Sequence, residues 1–327
     1  MKKITPLIIL SLTFSQCQQG GSSASVESGT TSTLPEKDPL KIYNLMGEEL
    51  PPKSLTPEAK LKLEANLQVA KSNLEANPDS LELIIWHGRR LAYLGRYLDA
   101  IEVYSAGLEK FPTSFKLRRH RGHRYISTRQ LNKAIEDFEM AAFYSVNAPN
   151  KIEPDGIPNK LDQPLGNDKF NIWYHYGLAH YLSGRYDKAI SAYKKCMEYS
   201  NNDDLLAATS YWLYMTYKKI GNLELAESVL EPISKRMAMV ENDAYLDLLL
   251  LFKGEKNALE LAEKAFPVDS EIDPTRGYGL GNWYQQQGNT EKANETFLKV
   301  LESPSWDAFG YISAEAELTA AFPVPIS

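Results

Sequence analysis

The sequence predicts an all-α fold, an α-solenoid of about six helical hairpins that ends in a capping helix. Two similar strings carry this prediction, GRYLDAIEVY at residues 95–104 and GRYDKAISAY at residues 184–193. Looser copies lie between and after them, and an alanine recurs at the matching places, Ala100, Ala134, Ala189, Ala226, Ala258 and Ala293. Four of the five intervals between these alanines are close to about 34 residues, the length of a helix–turn–helix repeat. Units of this kind bury their apolar faces by stacking on one another, which produces a solenoid.

The first part of the chain, residues 1–17, is predicted to be an export signal outside the fold. A basic start precedes an apolar run over residues 4–14, which is too short to span a bilayer as a helix, and Cys17 follows. This pattern resembles a bacterial lipoprotein signal, and the resemblance implies that Cys17 is lipidated, although the three residues before it depart from the usual cleavage box. An ordinary secretory signal cleaved within residues 20–25 is the alternative. Gln18 after the cysteine resembles the signal that sorts lipoproteins to an outer membrane.

Two further segments complete the predicted organisation. Residues 18–54 are rich in Gln, Gly, Ser, Thr and Pro, a composition that predicts a disordered tether. Residues 55–327 form the predicted solenoid.

The export signal predicts where this folded body lies. It would be outside the cytoplasm, in the periplasm or at the cell surface, and the lipid alone would hold it to the membrane.

Net charge and cysteine content limit the classes of protein that the chain can represent. The formal net charge of −6 argues against nucleic acid as a partner. The only cysteines are Cys17 and Cys196, which excludes a disulfide framework.

The solenoid begins with a helix that starts at Pro57 and ends before Pro78. Repeat units follow at residues 81–114, 115–146, 170–203, 205–239, 242–266 and 277–302, and a final helix over 306–321 caps the array. Each well-formed unit has a glycine midway along its first helix, a break, and then an aromatic residue and an alanine in its second helix. Small residues let antiparallel helices approach closely, and aromatic rings fill the gaps between hairpins. This pattern resembles the tetratricopeptide repeat, most closely in residues 170–203.

An insertion of about twenty residues separates the second and third units, because the interval from Ala134 to Ala189 exceeds the repeat length. Four prolines and two glycines in residues 146–169 argue against a continuous helix there. Its turn chemistry favours an ordered loop, and a tolerated insertion without a role is the alternative. The strings LRRHRGHRYIS, IEPDGIPN, FNIWYHYGLAHYL and GYGLGNWY are similar to a group of bacterial tetratricopeptide proteins, which implies that the loop and its neighbouring helices form one unit.

A strongly basic stretch lies in this acidic protein, because residues 110–135 contain eight Lys or Arg residues and no Asp or Glu. The tetratricopeptide resemblance implies that the first helix of each unit lines a concave groove. The side chains that would face the groove of units one to three are Trp86, Arg89, Tyr93, Lys116, Arg119, His123, Asn171, Tyr174 and His175, with His120 at its margin. Guanidinium groups between aromatic walls suit carboxylate or phosphate groups. A solvated or structurally paired run of charges is the alternative.

Two arginines in this stretch stand where the repeat has apolar residues. Arg118 and Arg121 face the partner helix in the repeat pattern, and a buried arginine needs an anionic partner. The sequence offers Glu153 and Asp155 from the loop, or Glu136 and Glu139 from the second helix of the unit. Such pairing would make these arginines structural.

Enzymatic and metal chemistry find little support in the sequence. His120, His123 and His175 have metal-like spacing, but no Asp, Glu or Cys accompanies them on those helices and arginines surround them, so no metal site is expected. No catalytic triad, nucleotide loop or pair of catalytic carboxylates is present, and no cofactor is implied. The chaperone-binding clamp of the resembled family is absent, because Ile85 and Arg89 replace the required groove residues.

The sequence therefore predicts a non-catalytic scaffold at the bacterial cell envelope. Its groove would bind another protein or peptide, one with acidic features. The alternative is a protein that binds a small ligand or uses a metal at the His/Arg cluster under the loop of residues 146–169. A purely architectural subunit that binds through apolar edges is a further alternative.

Overall fold

The protein is an all-α solenoid, as predicted. The computed structural model describes residues 40–321, so the predicted signal, Cys17 and the first part of the predicted tether lie outside the described residues. Within them, isolated bridges join Tyr43 to Glu49 and Ile152 to Asn167, and the remaining regular structure is helical. The helices are α1 Pro57–Ala76, α2 Leu81–Tyr93, α3 Tyr97–Lys110, α4 Phe115–Ser127, α5 Leu131–Ser145, α6 Asp168–Leu182, α7 Tyr186–Met197, α8 Asp203–Lys219, α9 Leu223–Leu230, α10 Asp243–Phe252, α11 Ala258–Ala265, α12 Pro274–Gln286, α13 Thr290–Val300 and α14 Phe309–Ala321.

Six hairpins, from α2/α3 to α12/α13, form the array, with α1 before them and α14 after them. The predicted pairing of small and aromatic residues holds the two helices of a hairpin together. A Cβ atom on Gly88 would lie 2.3 Å from the ring of Tyr104, and one on Gly177 would lie 2.6 Å from the ring of Tyr193. Because no side chain larger than glycine fits there, the aromatic ring of the second helix packs directly on the backbone of the first.

One of the repeated alanines was assigned to the wrong position. Ala100 and its counterparts are the fourth residue of the second helix in their hairpins, and each is fully buried. In the fifth hairpin the fourth residue is Leu261, which is also fully buried, whereas Ala258 is the first residue of α11 and only half-buried. The fifth unit thus fills this position with a larger side chain. The prediction was wrong here because it chose the nearest alanine in the sequence.

The segment of residues 40–54 differs from the predicted disordered tether. Leu50 is buried, and the amide of Leu45 donates a hydrogen bond to Glu315 of α14 at 3.2 Å. The Lys53 ammonium lies 2.6 Å from the Asp307 carboxylate, just before α14. A polar composition suggests disorder only when the segment has nothing to pack against, and here both ends of the array meet it.

The final helix continues the array and also closes it. It starts at Phe309 rather than at residue 306, because residues 301–308 form turns after α13. It packs on α12 and α13 as a first helix of the next repeat would, and its inner side reaches α6. Tyr97 of α3 packs edge-on against Trp306 with ring centroids 5.6 Å apart. The beginning and the end of the array therefore touch across the concave side.

A buried ion pair joins the two ends. Four hairpins have a glycine with positive φ two residues before the second helix, but the second hairpin has Arg129, with φ of 60°. The Arg129 guanidinium lies 2.6 and 3.0 Å from the two carboxylate oxygens of Glu315, and the two side chains are 4% and 0% exposed. Since a left-handed conformation costs a non-glycine residue about 1 kcal/mol or more, this arginine is kept there by its partner on α14.

Candidate functional site

The loop between α5 and α6 covers the concave side of the first three hairpins. It follows a defined path, in which the amide of Glu153 donates to Gly166 O at 2.9 Å and the amide of Asp168 donates to Lys151 O at 2.9 Å. Arg90 of α2 donates to Gly156 O at 3.0 Å, and a Cβ atom on Gly156 would lie 1.8 Å from the Tyr93 hydroxyl. These contacts fix the loop against α2 and α6.

Beneath the loop lies a cavity of about 470 Å³. Six of the predicted groove residues line it, namely Arg89, Tyr93, Arg119, Asn171, Tyr174 and His175. Lys116 and His120 line a smaller recess beside it, together with Arg89 and Arg119. Eight of the ten predicted side chains thus line the cavity or the recess beside it.

Two predicted residues lie apart from the cavity. Trp86 lines neither space, and the guanidinium groups of Arg89 and Arg90 lie 4.4 and 4.9 Å from its ring centroid. His123 lies behind the cavity wall, between His175 and Phe309, with ring centroids 4.3 and 5.4 Å away. Trp86 therefore supports an arginine, and His123 is part of the packing.

The loop places one carboxylate in front of two arginines. Oε1 of Glu153 lies 3.3 Å from Arg119 and 3.9 Å from Arg89, while Oε2 accepts a hydrogen bond from Asn171 Nδ2 at 2.9 Å. His120 lies 3.7 Å from the same Oε1 atom. Arg89 belongs to α2 and Arg119 to α4, so neighbouring first helices converge on one anion.

Burial controls the charges of this cluster. It lowers the pKa of Arg119 from its usual value, and Glu153 opposes that shift. Burial, followed by the charges of nearby arginines, lowers the pKa of His120 and of His123 well below the ordinary value. The pKa of His175 falls for the same reasons, although Nδ1 donates to Asn171 O at 2.6 Å. The three histidines are therefore neutral at pH 7.

A metal ion would need more ligands than this cluster offers. Within residues 40–321, no group of three or more His, Cys, Asp or Glu side chains is arranged to hold one. The nearby carboxylate of Asp168 is already paired, because it lies 3.7 Å from the Lys116 ammonium. Burial raises the pKa of this carboxyl group.

The predicted partners of Arg118 and Arg121 were wrong. Both arginines bind Asp137 of α5, with Arg121 Nε 2.7 Å and Arg118 Nη1 3.4 Å from its oxygens. Glu153 serves Arg89 and Arg119 instead. Asp137 was overlooked because it adjoins the core-facing Phe138 in sequence, yet it is buried beside α4. These two arginines are structural and do not face the cavity.

Sequence reasoning missed several cavity residues: Asp155, Glu241, Tyr245 and Phe309. Tyr245 and Phe309 lie on α10 and α14, which are first helices of degenerate units, and their position in the repeat was the available signal. Asp155 was considered only as a partner for the arginines. Nothing in the sequence marks Glu241, which reaches the cavity from the turn before α10.

The fold and the concave site define a helical-repeat protein. Residues 170–203 and 277–304 each match a family model described as tetratricopeptide repeat. The chain thus contains tetratricopeptide repeats in these two segments, as the resemblance of its motifs implied.

Known proteins are similar to the chain at low identity. The TPR repeat-containing protein MJ1428 of Methanocaldococcus jannaschii is 24% identical over 218 residues, which are 64% of this chain and 36% of that protein. The chain thus spans about a third of the length of this curated relative. A solved tetratricopeptide repeat protein of Parabacteroides merdae has 18% identity and a TM-score of 0.48, over 79% of this chain and 93% of that one. YrrB, described as a TPR protein with an unusual peptide-binding site, has 15% identity and a TM-score of 0.41. The match covers 77% of this chain and 99% of YrrB.

Proposed function

We propose that the protein is a non-catalytic interaction scaffold whose concave face, between α2, α4 and α6, binds a protein or peptide segment through a carboxylate. The observation that carries this proposal is the convergence of Arg89 and Arg119 on the single carboxylate of Glu153. Arginine forks bind carboxylates with defined geometry, and burial strengthens that interaction. Tetratricopeptide repeats as a class support an interaction role.

In this proposal Glu153 holds the place of a ligand. Its carboxylate has the chemistry of an acidic side chain or a chain terminus, and it comes from a loop rather than from the helical scaffold. One carboxylate serves two guanidinium groups, and Nε of Arg119 is buried without a hydrogen-bond partner. An incoming carboxylate can therefore replace Glu153 and find an unused donor.

Removing either arginine should weaken binding of an acidic partner. The ligands are Glu- and Asp-rich peptides that are first selected from a peptide library by their binding to the full-length protein. We expect Arg89→Ala to reduce the affinity for these peptides by about tenfold or more. Added salt should weaken the same binding. The measurement is fluorescence anisotropy, with Gln- and Asn-substituted peptides as ligand controls. Arg185→Ala, which alters an exposed arginine bonded to Asn132, is the matched variant. Equal binding by the neutral peptides, or an unchanged affinity in Arg89→Ala, would contradict the proposal.

We propose further that the scaffold is held at the bacterial cell envelope by a lipid on Cys17, with sorting to the outer membrane. The resemblance of residues 1–17 to a lipoprotein signal supports this location. Among residues 40–321, no helix combines the length and apolar character needed to cross a membrane. Cys17→Ser should abolish incorporation of a labelled fatty acid and shift the protein from the membrane to the soluble fraction. Unchanged labelling would exclude lipidation at this cysteine.

A second candidate function is binding of a small ligand in the cavity. Its volume of about 470 Å³ and its roof, formed by the loop of residues 146–169, favour this alternative. The metal-dependent version has less support, since the described residues offer no three-ligand group.

A further inference from the structure

The cavity has a second polar end, distinct from the pair of arginines. Asp155 of the loop and Glu241 of the turn before α10 both line it. Neither carboxylate forms an ion pair with any residue in the range 40–321, and Oδ2 of Asp155 is buried without a hydrogen-bond partner. A buried carboxylate oxygen normally has a cation or a donor beside it, so Oδ2 of Asp155 lacks its partner, while the exposed carboxylate of Glu241 adds a second negative charge nearby.

The surrounding structure holds the two carboxylates in place. Asp204 of α8 is buried and accepts hydrogen bonds from the amides of Val240, Glu241 and Asn242 at 2.7 to 3.2 Å. Asn159 of the loop donates to Oε1 of Glu241 at 2.6 Å and so joins the loop to the turn. The acidic end is therefore carried by two segments whose backbones are anchored, although the side chain of Glu241 itself is exposed.

The two carboxylates influence one another. Burial raises the pKa of Asp155 above its ordinary value, and the charge of Glu241 raises it further, while the charge of Arg89 acts in the opposite direction. Two like charges at one end of a cavity are stabilised when a cation binds between them.

The walls between the two ends are aromatic. The rings of Tyr93, Phe170, Tyr174, Tyr245 and Phe309 line the cavity. The hydroxyl groups of Tyr174 and Tyr245 already form hydrogen bonds. They lie 3.0 Å from each other, and Trp212 Nε1 donates to the Tyr174 hydroxyl at 2.8 Å. These residues therefore offer ring surface, which attracts ammonium and guanidinium groups.

A free acceptor lies on the same wall. His175 is 95% buried and lines the cavity, and because Nδ1 donates to Asn171 O, Nε2 carries the lone pair. Within residues 40–321, no group donates a hydrogen bond to that Nε2. A ligand with N–H donors would satisfy it, whereas a quaternary ammonium would not.

We propose that this cavity binds an organic cation with N–H donors, a primary ammonium or guanidinium group, between Asp155, Glu241 and the aromatic wall. The cation comes either from a free small amine or from a basic side chain of a partner segment. The proposal goes beyond the carboxylate receptor and does not depend on it, because neither Asp155 nor Glu241 pairs with Arg89 or Arg119.

Calorimetric titration of the full chain tests this proposal. The probes are cadaverine, Nα-acetyl-lysine-N-methylamide and the ε-acetylated form of the latter, which lacks the charge. We expect at least one of the two charged probes to bind at millimolar concentrations or below, and the acetylated compound not to bind. The double variant Asp155→Asn, Glu241→Gln should weaken binding by about tenfold or more. Glu198→Gln, at an exposed glutamate, should leave it unchanged.

The pattern of binding separates the possible sources of the cation. Binding of cadaverine alone identifies a small free amine, and binding of the lysine derivative identifies a basic residue of a partner. Absence of binding by both, equal binding by the acetylated compound, or full binding in the double variant would overturn the proposal. Arg89→Ala should not weaken amine binding, so failure here is distinguishable from failure of the carboxylate receptor.

Discussion

Replacement of Glu315 by alanine should destabilise the fold by about 3–5 kcal/mol, because it leaves the buried guanidinium of Arg129 without its anion. The two side chains are 4% and 0% exposed, so water cannot replace the lost carboxylate. The remaining acceptors of Arg129 are the carbonyl oxygens of Ser127 and Trp306, at 2.6 and 2.8 Å, which do not neutralise the charge. The amide of Leu45 also loses its acceptor.

Urea unfolding followed by circular dichroism measures this loss. Glu198→Ala, which removes an exposed ion pair with Lys195, is the matched control and should change the free energy of unfolding by about 0.5 kcal/mol or less. The double variant Arg129→Met, Glu315→Leu should recover much of the loss, since an apolar pair of similar volume leaves no buried charge. A loss in Glu315→Ala no larger than that of the control would show that the closure of the array contributes little to stability.

Mild acid should destabilise the protein through its buried histidines. The pKa values of His120, His123 and His175 are held well below the ordinary value, first by burial and then by nearby arginines. The unfolded chain binds protons at these side chains below a pH of about 6.5, whereas the folded protein does not. The unfolded state thus binds more protons, and stability falls as the pH decreases through this range.

The expected loss is about 5.5 kcal/mol between pH 7.5 and pH 5.5, because these three histidines and His180, whose pKa burial lowers to about 4, each contribute about 1.4 kcal/mol. Burial raises the pKa of Asp137 and Glu315, which take up protons more readily in the folded state and oppose this trend in stronger acid. The change in stability between pH 7.5 and pH 5.5 therefore reports on the histidines and not on these carboxyl groups. His123→Leu should reduce the pH dependence by about a quarter. An unfolding midpoint that stays constant across this window in the unmodified protein would contradict the burial of neutral histidines.

The hairpins could be predicted from the sequence because their determinants are local. Gly88 faces Tyr104 within one unit, and Ala100 occupies the same place as five other small or apolar residues along the chain. Such pairs are separated by a fixed number of residues, so they leave a period in the sequence. Leu261 was not predicted because the fifth unit has a leucine, and not an alanine, at this buried position of its second helix.

The closure of the array could not be predicted in the same way. Arg129 and Glu315 are 186 residues apart, and their contact depends on the accumulated curvature of six hairpins. The missing glycine at Arg129 was the one local sign that this turn differs from the others. The same curvature brings Phe309 and Glu241 to the cavity; the repeat position of Phe309 was a local signal, whereas nothing in the sequence marks Glu241.

Candidate groove residues were recovered in part, because the repeat determines which helix face is concave but not what covers it. Arg89 and Arg119 were placed correctly on that face. The loop that supplies Glu153 has no repeat to fix its path, so its carboxylate was offered only as one of several possible partners for Arg118 and Arg121, which Asp137 serves instead.

The most direct test of the carboxylate receptor is the affinity of Glu153→Gln for an acidic peptide selected on the full chain. If Glu153 holds the place of a ligand, its neutral isostere should bind that peptide about tenfold more tightly than the unmodified protein does, because the internal competitor has lost its charge. Glu136→Gln, at an exposed glutamate of α5, should not change the affinity. Unchanged or weaker binding in Glu153→Gln would mean that the two arginines only anchor the loop, and the proposed receptor would be wrong.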